Sequence, residues 1–293
     1  MKGCPAEGGE TGVYQIGFSV TAHFLLFFFI KIFSENVIME RETKKLNIME
    51  NRIFNENCLD TMSKMPDNFI DLVITSPPYN KAGYEGFIRK SWSGDTWSQR
   101  NIDYNDDSFK DFMREEDYQA EQIKVLDELH RVLKPNGSIF YNHKVRVAKH
   151  KASHPIEWIL KSKLTFRQQI IWDRKSSPAV APIRYLPSTE LIFWLTKTPC
   201  QPNFNRDKEC NFLTEVWTLS PKPNKFHPAP FPEEIPRNIL NCIKDRTKDF
   251  IVYDPYSGIG TTVIEAKKMG LKYIGSDLSK KYIEYSEEIL KKI

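Results

Sequence analysis

Ser76-Pro77-Pro78-Tyr79 is the first segment whose residue types could do chemistry, and it follows the apolar run Asp71–Thr75. Proline has a fixed backbone angle and no N–H, so this segment is rigid and its carbonyl groups are left to accept hydrogen bonds. The Ser76 hydroxyl and the Pro77 carbonyl can accept hydrogen bonds from an –NH2 group, and Tyr79 offers an exposed aromatic ring for stacking. The segment therefore suits the binding of a planar amine. A simple strand-terminating turn is the alternative, because Ser and Pro are common turn residues.

A second segment, Asp254–Thr262, has the sequence DPYSGIGTT and follows the apolar run Ile251–Tyr253. Its two glycines permit a tight turn and a close approach of the backbone to a ligand. Asp277 ends the next apolar run, 19 residues after Gly258, and a carboxylate there can accept hydrogen bonds from both hydroxyls of a ribose. A nucleoside-binding turn is thus predicted, whereas the glycine pair alone would also suit a turn without a ligand. The G-x-G-x-x-G spacing of dehydrogenases is absent, because Val263 stands where the third glycine would be.

The elements that must position these segments follow from the alternation of apolar runs with amphipathic stretches. This alternation predicts an α/β fold with a mostly parallel, doubly wound, Rossmann-like sheet and helices on both of its faces. In such sheets ligands bind at the carboxyl ends of the strands. We expect strands at Asp71–Thr75, Ser138–Tyr141, Phe166–Trp172, Thr189–Leu195, Ile251–Tyr253 and Tyr273–Asp277, and helices at Gln119–Leu133, ended by Lys134–Gly137, and at Gly260–Met269.

Residues 1–48 differ from the rest of the chain. Val20–Phe33 is strongly apolar, but its uninterrupted run is far shorter than the roughly 20 residues needed to cross a bilayer. The preceding residues lack the basic region of a signal peptide. We predict that residues 1–48 are an extension outside the folded domain, which spans 49–293, and that Met39 or Met49 is the working start of translation. A membrane-associated helix is the alternative for the extension, and no membrane partner is expected for the domain.

The overall composition restricts the class of protein only loosely. The 293 residues include 42 basic and 38 acidic side chains, giving a net charge of +4, which does not by itself indicate a nucleic-acid partner. The five cysteines are odd in number and have no C-x-x-C spacing, so we predict neither a zinc site nor a disulfide, and a cytoplasmic location. They are Cys4, Cys58, Cys200, Cys210 and Cys242.

Taken together, the two segments resemble the amino-methyltransferases of DNA, which methylate adenine at N6 or cytosine at N4. SPPY matches the catalytic motif of that family, [DNS]-P-P-[YFW], and DPYSGIGTT matches its cofactor motif, D-P-F-x-G-x-G-T-T. The catalytic motif comes first here, which is the circularly permuted order of the family's β class. The resemblance covers about residues 50–290 and implies S-adenosyl-L-methionine as the cofactor, double-stranded DNA as the substrate and no metal.

The resemblance also assigns site residues. It implies that Ser76, Pro77, Pro78 and Tyr79 are catalytic. Asn57 stands where the family usually has an Asp near the adenine of the cofactor. Phe231 lies in an H-P-A-P-F-P block that, in the family, helps to form the wall of the pocket around the methionine end of the cofactor. The predicted cofactor-binding residues are Asn57, Phe231, Asp254, Tyr256, Gly258, Gly260, Thr261, Thr262 and Asp277.

The chemistry implied by the resemblance begins with a base flipped out of the duplex. Tyr79 would stack on it, while Ser76 and the Pro77 carbonyl would accept the two amine hydrogens. Serine in place of Asp, with the H-P-A-P-F-P block, resembles the cytosine-N4 enzymes more than the adenine-N6 enzymes. A protein glutamine methyltransferase has the opposite motif order and usually Asn at the position of Ser76. A catalytically inactive DNA-binding protein is a further alternative.

Two polar insertions, at about 81–118 and 198–226, are predicted to hold the DNA. The first would close over the flipped base and the second would choose the recognition sequence. Basic side chains in them would neutralise phosphates, although they could also be ordinary solvated charges. The predicted DNA-binding residues are Arg89, Lys90, Arg100, Lys222 and Lys225. A restriction endonuclease is the possible protein partner.

Overall fold

The computed structural model describes residues 48–80, 113–148, 151–175, 185–199, 201–206, 210–222, 231–243 and 247–293. From Met49 onward they belong to one compact unit. Several predictions lie outside the described residues: the extension 1–48 except Ile48, the three basic residues Arg89, Lys90 and Arg100, and Lys225.

The described residues form ten strands and six helices. The strands are β1 (Arg52–Asn55), β2 (Ile70–Thr75), β3 (Leu133–His143), β4 (Arg146–Ala148), β5 (Lys151–Ser153), β6 (Thr165–Asp173), β7 (Thr189–Thr196), β8 (Val216–Thr218), β9 (Ile251–Asp254) and β10 (Lys272–Asp277). The helices are α1 (Cys58–Ser63), α2 (Glu115–Val132), α3 (Ile156–Ile159), α4 (Glu234–Asn241), α5 (Thr261–Lys268) and α6 (Lys280–Leu290).

Eight strands form one sheet in the order β1-β10-β9-β2-β3-β7-β6-β8, and β4 and β5 form a separate hairpin. The first five strands of the sheet are parallel. Strand β7 is antiparallel to both β3 and β6, and β8 is parallel to β6. The predicted Rossmann-like fold is therefore confirmed. Because β9 and β2 are neighbours, the two chemical segments leave the sheet side by side.

The α2 helix packs one face against the sheet. Its buried residues are Tyr118, Gln122, Val125, Leu126, Leu129 and Val132, at the spacing of a single helical stripe. It begins about one turn earlier than predicted. Its first turn holds three acidic residues, Glu115–Asp117, whose negative charges stabilise the positive, amino-terminal end of the helix dipole. The predicted terminator Lys134–Gly137 becomes part of β3, where a side chain at Gly137 would lie 2.9 Å from the Asp71 carbonyl oxygen.

The insertion at 198–226 is less irregular than predicted. It contributes the edge strand β8, and Trp217 of that strand is buried and stacks on Phe212 with 5.2 Å between ring centroids. The Trp172 indole of β6 donates a hydrogen bond to the Leu219 carbonyl at 2.8 Å. Aromatic burial therefore fixes the end of this insertion to the sheet.

The prediction that no cysteines pair is wrong. Cys210 and Cys242 form a disulfide, with their Cα atoms 5.6 Å apart. Cys210 lies in the insertion and Cys242 directly follows α4. The Asn238 side chain brings these segments together, since its oxygen accepts hydrogen bonds from the Asn211 and Phe212 amides. Cys58 is a buried free thiol; burial raises its pKa to about 12.

Among the described helices, none combines the length and the apolarity needed to cross a membrane. The described residues likewise contain no cluster of three or more His, Cys, Asp or Glu side chains suited to a metal ion.

Candidate active site

The carboxyl ends of the five parallel strands place polar side chains along one edge of the sheet. Asn55 ends β1, Asp277 ends β10, Asp254 ends β9, Ser76 directly follows β2 and Asn142 lies near the end of β3. Since β9 and β2 are hydrogen-bonded neighbours, the predicted cofactor and catalytic segments lie next to each other. The candidate site is therefore built across the centre of the sheet.

Asp254 and Thr262 join the two segments. The Thr75 hydroxyl donates a hydrogen bond to Asp254 Oδ1 at 2.7 Å, and the Thr262 hydroxyl donates to the Ile74 carbonyl at 3.1 Å. Asp254 is 2% exposed, and this burial raises its pKa to about 6. Both residues, predicted to bind cofactor, have their polar groups directed at β2 and so position one segment against the other.

The glycine turn after β9 takes the backbone conformations that glycine permits. Gly258 has φ 51° and Gly260 has φ 79°, in the left-handed region that favours glycine. A side chain at Gly260 would lie 2.8 Å from the Ser286 hydroxyl. The Gly258 amide donates a hydrogen bond to Asp277 Oδ2 at 2.6 Å. The carboxylate at the end of β10 therefore holds the turn as well as facing the site.

Two buried hydroxyls beside this turn are left without hydrogen-bond partners among the described residues, Ser257 Oγ and Ser279 Oγ. The Ser279 amide donates to Asp277 Oδ1 at 2.8 Å. Buried polar groups are usually hydrogen-bonded, so unpaired ones call for an explanation such as a ligand. The turn, the carboxylate and these hydroxyls fit a nucleoside cofactor.

The other predicted cofactor residues have identifiable structural contacts. Asn57 caps α1, with its side-chain oxygen accepting from the Leu59 amide at 2.9 Å. The Tyr256 hydroxyl accepts from the Gln122 side chain at 3.3 Å. Phe231 is 9% exposed and belongs to the hydrophobic core, and Thr261 is half-buried at the start of α5. Their roles in cofactor binding stay predictions.

The two prolines of the catalytic segment differ in their contacts. The Tyr118 hydroxyl donates a hydrogen bond to the Pro78 carbonyl at 2.7 Å. Among the described residues, none donates to the Pro77 carbonyl. Asn80 has φ 51°, and its side chain pairs with the Met113 backbone through two hydrogen bonds of 2.6 and 2.9 Å. The segment is thus fixed at Pro78 and Asn80, and Pro77 keeps an acceptor available to a substrate.

Tyr79 does not present an exposed ring, contrary to expectation. It is 7% exposed, its ring centroid lies 4.6 Å from that of His143, and the Lys144 ammonium lies 5.6 Å from the ring centre. Burial and the nearby charge of Glu190 raise the pKa of the Tyr79 hydroxyl well above its usual value. Tyr79 is therefore a neutral hydrogen-bond donor at neutral pH, and its stacking on a base stays a prediction.

A buried polar cluster surrounds the Ser76 hydroxyl, and we call it the Ser76 cluster: Ser76, Tyr79, Asn142, Arg174 and Glu190. The Ser76 and Tyr79 hydroxyl oxygens are 2.9 Å apart, and the Tyr79 hydroxyl donates to Glu190 Oε2 at 2.8 Å. Asn142 Nδ2 donates to the Tyr79 hydroxyl at 2.8 Å and to Glu190 Oε2 at 3.1 Å. Arg174 Nη1 lies 2.9 Å from Glu190 Oε1. The cluster links the catalytic segment to β3, β6 and β7.

Asn142 contributes one further acceptor. Its side-chain nitrogen faces the Glu190 carboxylate, which can only accept hydrogen bonds when ionised, so the amide orientation is fixed. Its oxygen is buried and has no donor among the described residues. An unpaired buried acceptor beside Ser76 is suited to a ligand that carries an amine.

Sequence reasoning missed Asn142, Glu190 and Arg174. Asn142 could have been found, because it lies at the carboxyl end of a parallel strand, like the predicted residues. Glu190 could not, since it lies at the amino end of β7 and reaches the site only because β7 runs antiparallel to β3.

Lys222 is the one predicted DNA-binding residue among the described ones. Its ammonium lies 3.1 Å from Glu233 Oε1 and 2.6 Å from Glu234 Oε1. Two carboxylates therefore balance its charge, which was not anticipated from the sequence.

Comparisons with known proteins give consistent results. The family described as DNA methylase matches residues 70–288. The Type II methyltransferase M.BglII of Bacillus subtilis is 27% identical over an alignment of 275 residues, and the match covers 82% of this chain and 69% of that protein.

Two solved structures share the fold. PvuII DNA methyltransferase (cytosine-N4-specific) has a TM-score of 0.60 and 17% identity, covering 81% of this chain and 85% of that one. M1.HpyAVI in complex with S-adenosylmethionine has a TM-score of 0.54 and 17% identity, covering 82% and 98%.

Proposed function

The chain belongs to the DNA methylase family and is an S-adenosylmethionine-dependent DNA amino-methyltransferase; from this premise we propose that it methylates cytosine at N4 in double-stranded DNA. The observation that carries the proposal is the Ser76 hydroxyl, which stands at the carboxyl end of β2 beside the cofactor turn. A neutral hydroxyl at this place, rather than a carboxylate, resembles the cytosine-N4 branch of the family. The PvuII enzyme, which shares the fold, is itself cytosine-N4-specific.

The cofactor site is proposed to lie at the carboxyl ends of β9 and β10. Asp277 would accept hydrogen bonds from the ribose hydroxyls, and Gly258 and Gly260 would let the backbone approach the ligand. The unpaired hydroxyls of Ser257 and Ser279 would find partners on it. When bound, the cofactor supplies an electrophilic methyl group.

The amine of the flipped base is proposed to lie between Ser76 and Pro77. The Ser76 hydroxyl oxygen and the Pro77 carbonyl accept its two hydrogens, and the Asn142 oxygen is a further acceptor nearby. Hydrogen bonds to both hydrogens localise the lone pair on nitrogen and aim it at the methyl group. Positioning of this kind supplies most of the acceleration, and no metal is needed.

The enzyme is proposed to act within a restriction–modification system, since the relative M.BglII is named a Type II methyltransferase. The partner would be an endonuclease that cuts the same sequence when it is unmethylated.

Identification of the modified nucleoside tests the proposal. Plasmid DNA from a host without DNA methyltransferases is incubated with the purified protein and S-adenosylmethionine, digested to nucleosides and analysed by mass spectrometry. We expect N4-methylcytosine in the wild-type reaction and far less of it with Ser76→Ala, which controls for contaminating enzymes. N6-methyladenine as the only product would overturn the choice of cytosine.

A further inference from the structure

We propose that Glu190 is the terminal proton acceptor of methyl transfer, connected to Ser76 through the Tyr79 hydroxyl. The inference rests on the methyltransferase activity of the family and holds whether the methylated base is cytosine or adenine. Glu190 lies on β7, far in sequence from both motifs, and nothing in the sequence marks it.

The direction of each hydrogen bond in the Ser76 cluster follows from the Glu190 carboxylate. It forms an ion pair with the Arg174 guanidinium, and an ionised carboxylate has no proton to donate. The Tyr79 hydroxyl, 2.8 Å away, must therefore donate its single proton to Glu190. Toward its other neighbours, Ser76 and Asn142, the Tyr79 hydroxyl oxygen can then only accept hydrogen bonds.

The same reasoning orients Ser76. Asn142 Nδ2 donates to the Tyr79 oxygen at 2.8 Å, and the Ser76 hydroxyl, 2.9 Å from that oxygen, donates to it as well. Asn142 Nδ2 also lies 3.3 Å from Ser76 Oγ. The Ser76 proton thus faces away from the substrate side, and the oxygen keeps a lone pair for a base amine.

A serine hydroxyl is a weaker hydrogen-bond acceptor than a carboxylate, and this arrangement compensates for that difference. A hydroxyl that donates to another hydroxyl, which in turn donates to a carboxylate, becomes a stronger acceptor through mutual polarisation. Glu190 therefore gives Ser76 part of the basicity that a carboxylate in the motif would supply directly. Tyr79 passes this effect on because its raised pKa keeps it protonated.

The relay also removes the proton that methyl transfer releases. The base nitrogen forms a bond to the methyl carbon while the carbon–sulfur bond breaks and its electron pair stays on sulfur. The nitrogen then carries a positive charge and an excess proton. That proton moves to Ser76, the Ser76 proton moves to Tyr79, and the Tyr79 proton moves to Glu190, which becomes a neutral carboxylic acid until water takes the proton.

The test compares Glu190→Gln with a matched control, Glu265→Gln. Glu265 is also a buried acid in an ion pair, 2.8 Å from Arg237, but it lies on α5 outside the Ser76 cluster. The substrate is the unmethylated plasmid, and kcat is measured against pH together with the dissociation constants for S-adenosylmethionine and DNA. A general base contributes roughly 10²-fold or more to a rate.

We expect Glu190→Gln to lower kcat about 100-fold with both dissociation constants within about threefold of wild type. The wild-type kcat should fall toward low pH, because a relay whose terminal acceptor is already protonated cannot take up another proton. That fall should be absent from Glu190→Gln and present in Glu265→Gln. Among the described residues, the charged or titratable groups facing Glu190 are Arg174 and Tyr79, with His143 and Lys144 against the Tyr79 ring.

Tyr79→Phe is the second variant, since the family motif accepts Phe at this position and the ion pair is untouched. It should show the same loss of rate and of the acid-side fall. A wild-type rate in Glu190→Gln, or an unchanged acid-side fall in a slow Glu190→Gln or Tyr79→Phe, would overturn the relay. The methylated nucleoside is identified in every reaction, so N6-methyladenine would count against cytosine while leaving the relay standing.

Discussion

Ser76 can act on the base only through an oxygen whose lone pair faces the substrate side. We expect Ser76→Ala to lower kcat by roughly 100-fold or more while leaving the affinity for S-adenosylmethionine unchanged, because the lost hydrogen bond strengthens only toward the transition state. Single-turnover kinetics and calorimetry with S-adenosylhomocysteine measure the two quantities. Ser63→Ala, on the exposed side of α1, is the control. An equal loss of cofactor affinity would contradict the placement of Ser76 at the base.

Asp254 makes the stability of the fold depend on pH. Burial raises its pKa from 3.8 to about 6, so between these values the folded protein binds a proton more readily than the unfolded chain. Its contribution therefore stabilises the fold as pH falls from about 6 to about 4, by on the order of 3 kcal/mol. Asp254→Asn keeps an acceptor for Thr75 and removes this titration.

Urea unfolding of wild type and Asp254→Asn at pH 4 to 8 measures the difference. We expect the wild type to gain stability relative to the variant as the pH is lowered through about 6. A constant difference between the two proteins at all these pH values would mean that Asp254 does not titrate in this range.

The position of the residues of the two motifs in the fold could be predicted from the sequence, because a parallel sheet brings the carboxyl ends of its strands to one edge. Ser76, Asp254 and Asp277 all lie there. The contacts inside the Ser76 cluster could not be predicted from the sequence. Tyr79 is buried because its hydroxyl has a carboxylate partner, and that partner comes from a strand of the opposite direction.

Most elements were also predictable, since β2, β7, β9 and β10 are short, mostly apolar runs bounded by turn residues. The pairing of β8 with β6 was not, because a three-residue strand has too little pattern to distinguish it from a loop. The disulfide was missed for a similar reason: spacing along the chain does not reveal that α4 lies beside the insertion.

The bond between Cys210 and Cys242 should stabilise the junction of α4 with the insertion. Cross-linking residues 32 apart in sequence restricts the unfolded chain and is worth on the order of 3 kcal/mol. We expect reductant to lower the unfolding free energy of the wild type by about this amount and to leave Cys242→Ala unaffected. Urea unfolding with and without reductant measures it. A wild type insensitive to reductant would show that the two thiols do not pair in solution.

At the scale of the whole molecule, the binding of DNA depends on charges that are not already balanced. Lys222 is paired with Glu233 and Glu234. Lys225, a second cation of the same predicted insertion, lies outside the described residues. We expect Lys225→Ala to weaken DNA binding and to reduce the slope of log affinity against log salt by about 1, and Lys222→Ala to change the slope little. Fluorescence anisotropy at several salt concentrations measures both. Equal slopes in wild type and Lys225→Ala would place the DNA elsewhere.

The pairing of Asn80 with the Met113 backbone fixes both ends of the insertion that lies between them. The chain leaves β2 and ends its first described stretch at Asn80, and the next described stretch begins at Met113, just before α2. Two hydrogen bonds join these two residues. Because the entropy of closing a loop grows only with the logarithm of its length, the stretch between these residues can be lengthened, shortened or exchanged at little cost to the sheet. The length of this insertion can therefore vary while the sheet and the chemistry at Ser76 stay unchanged.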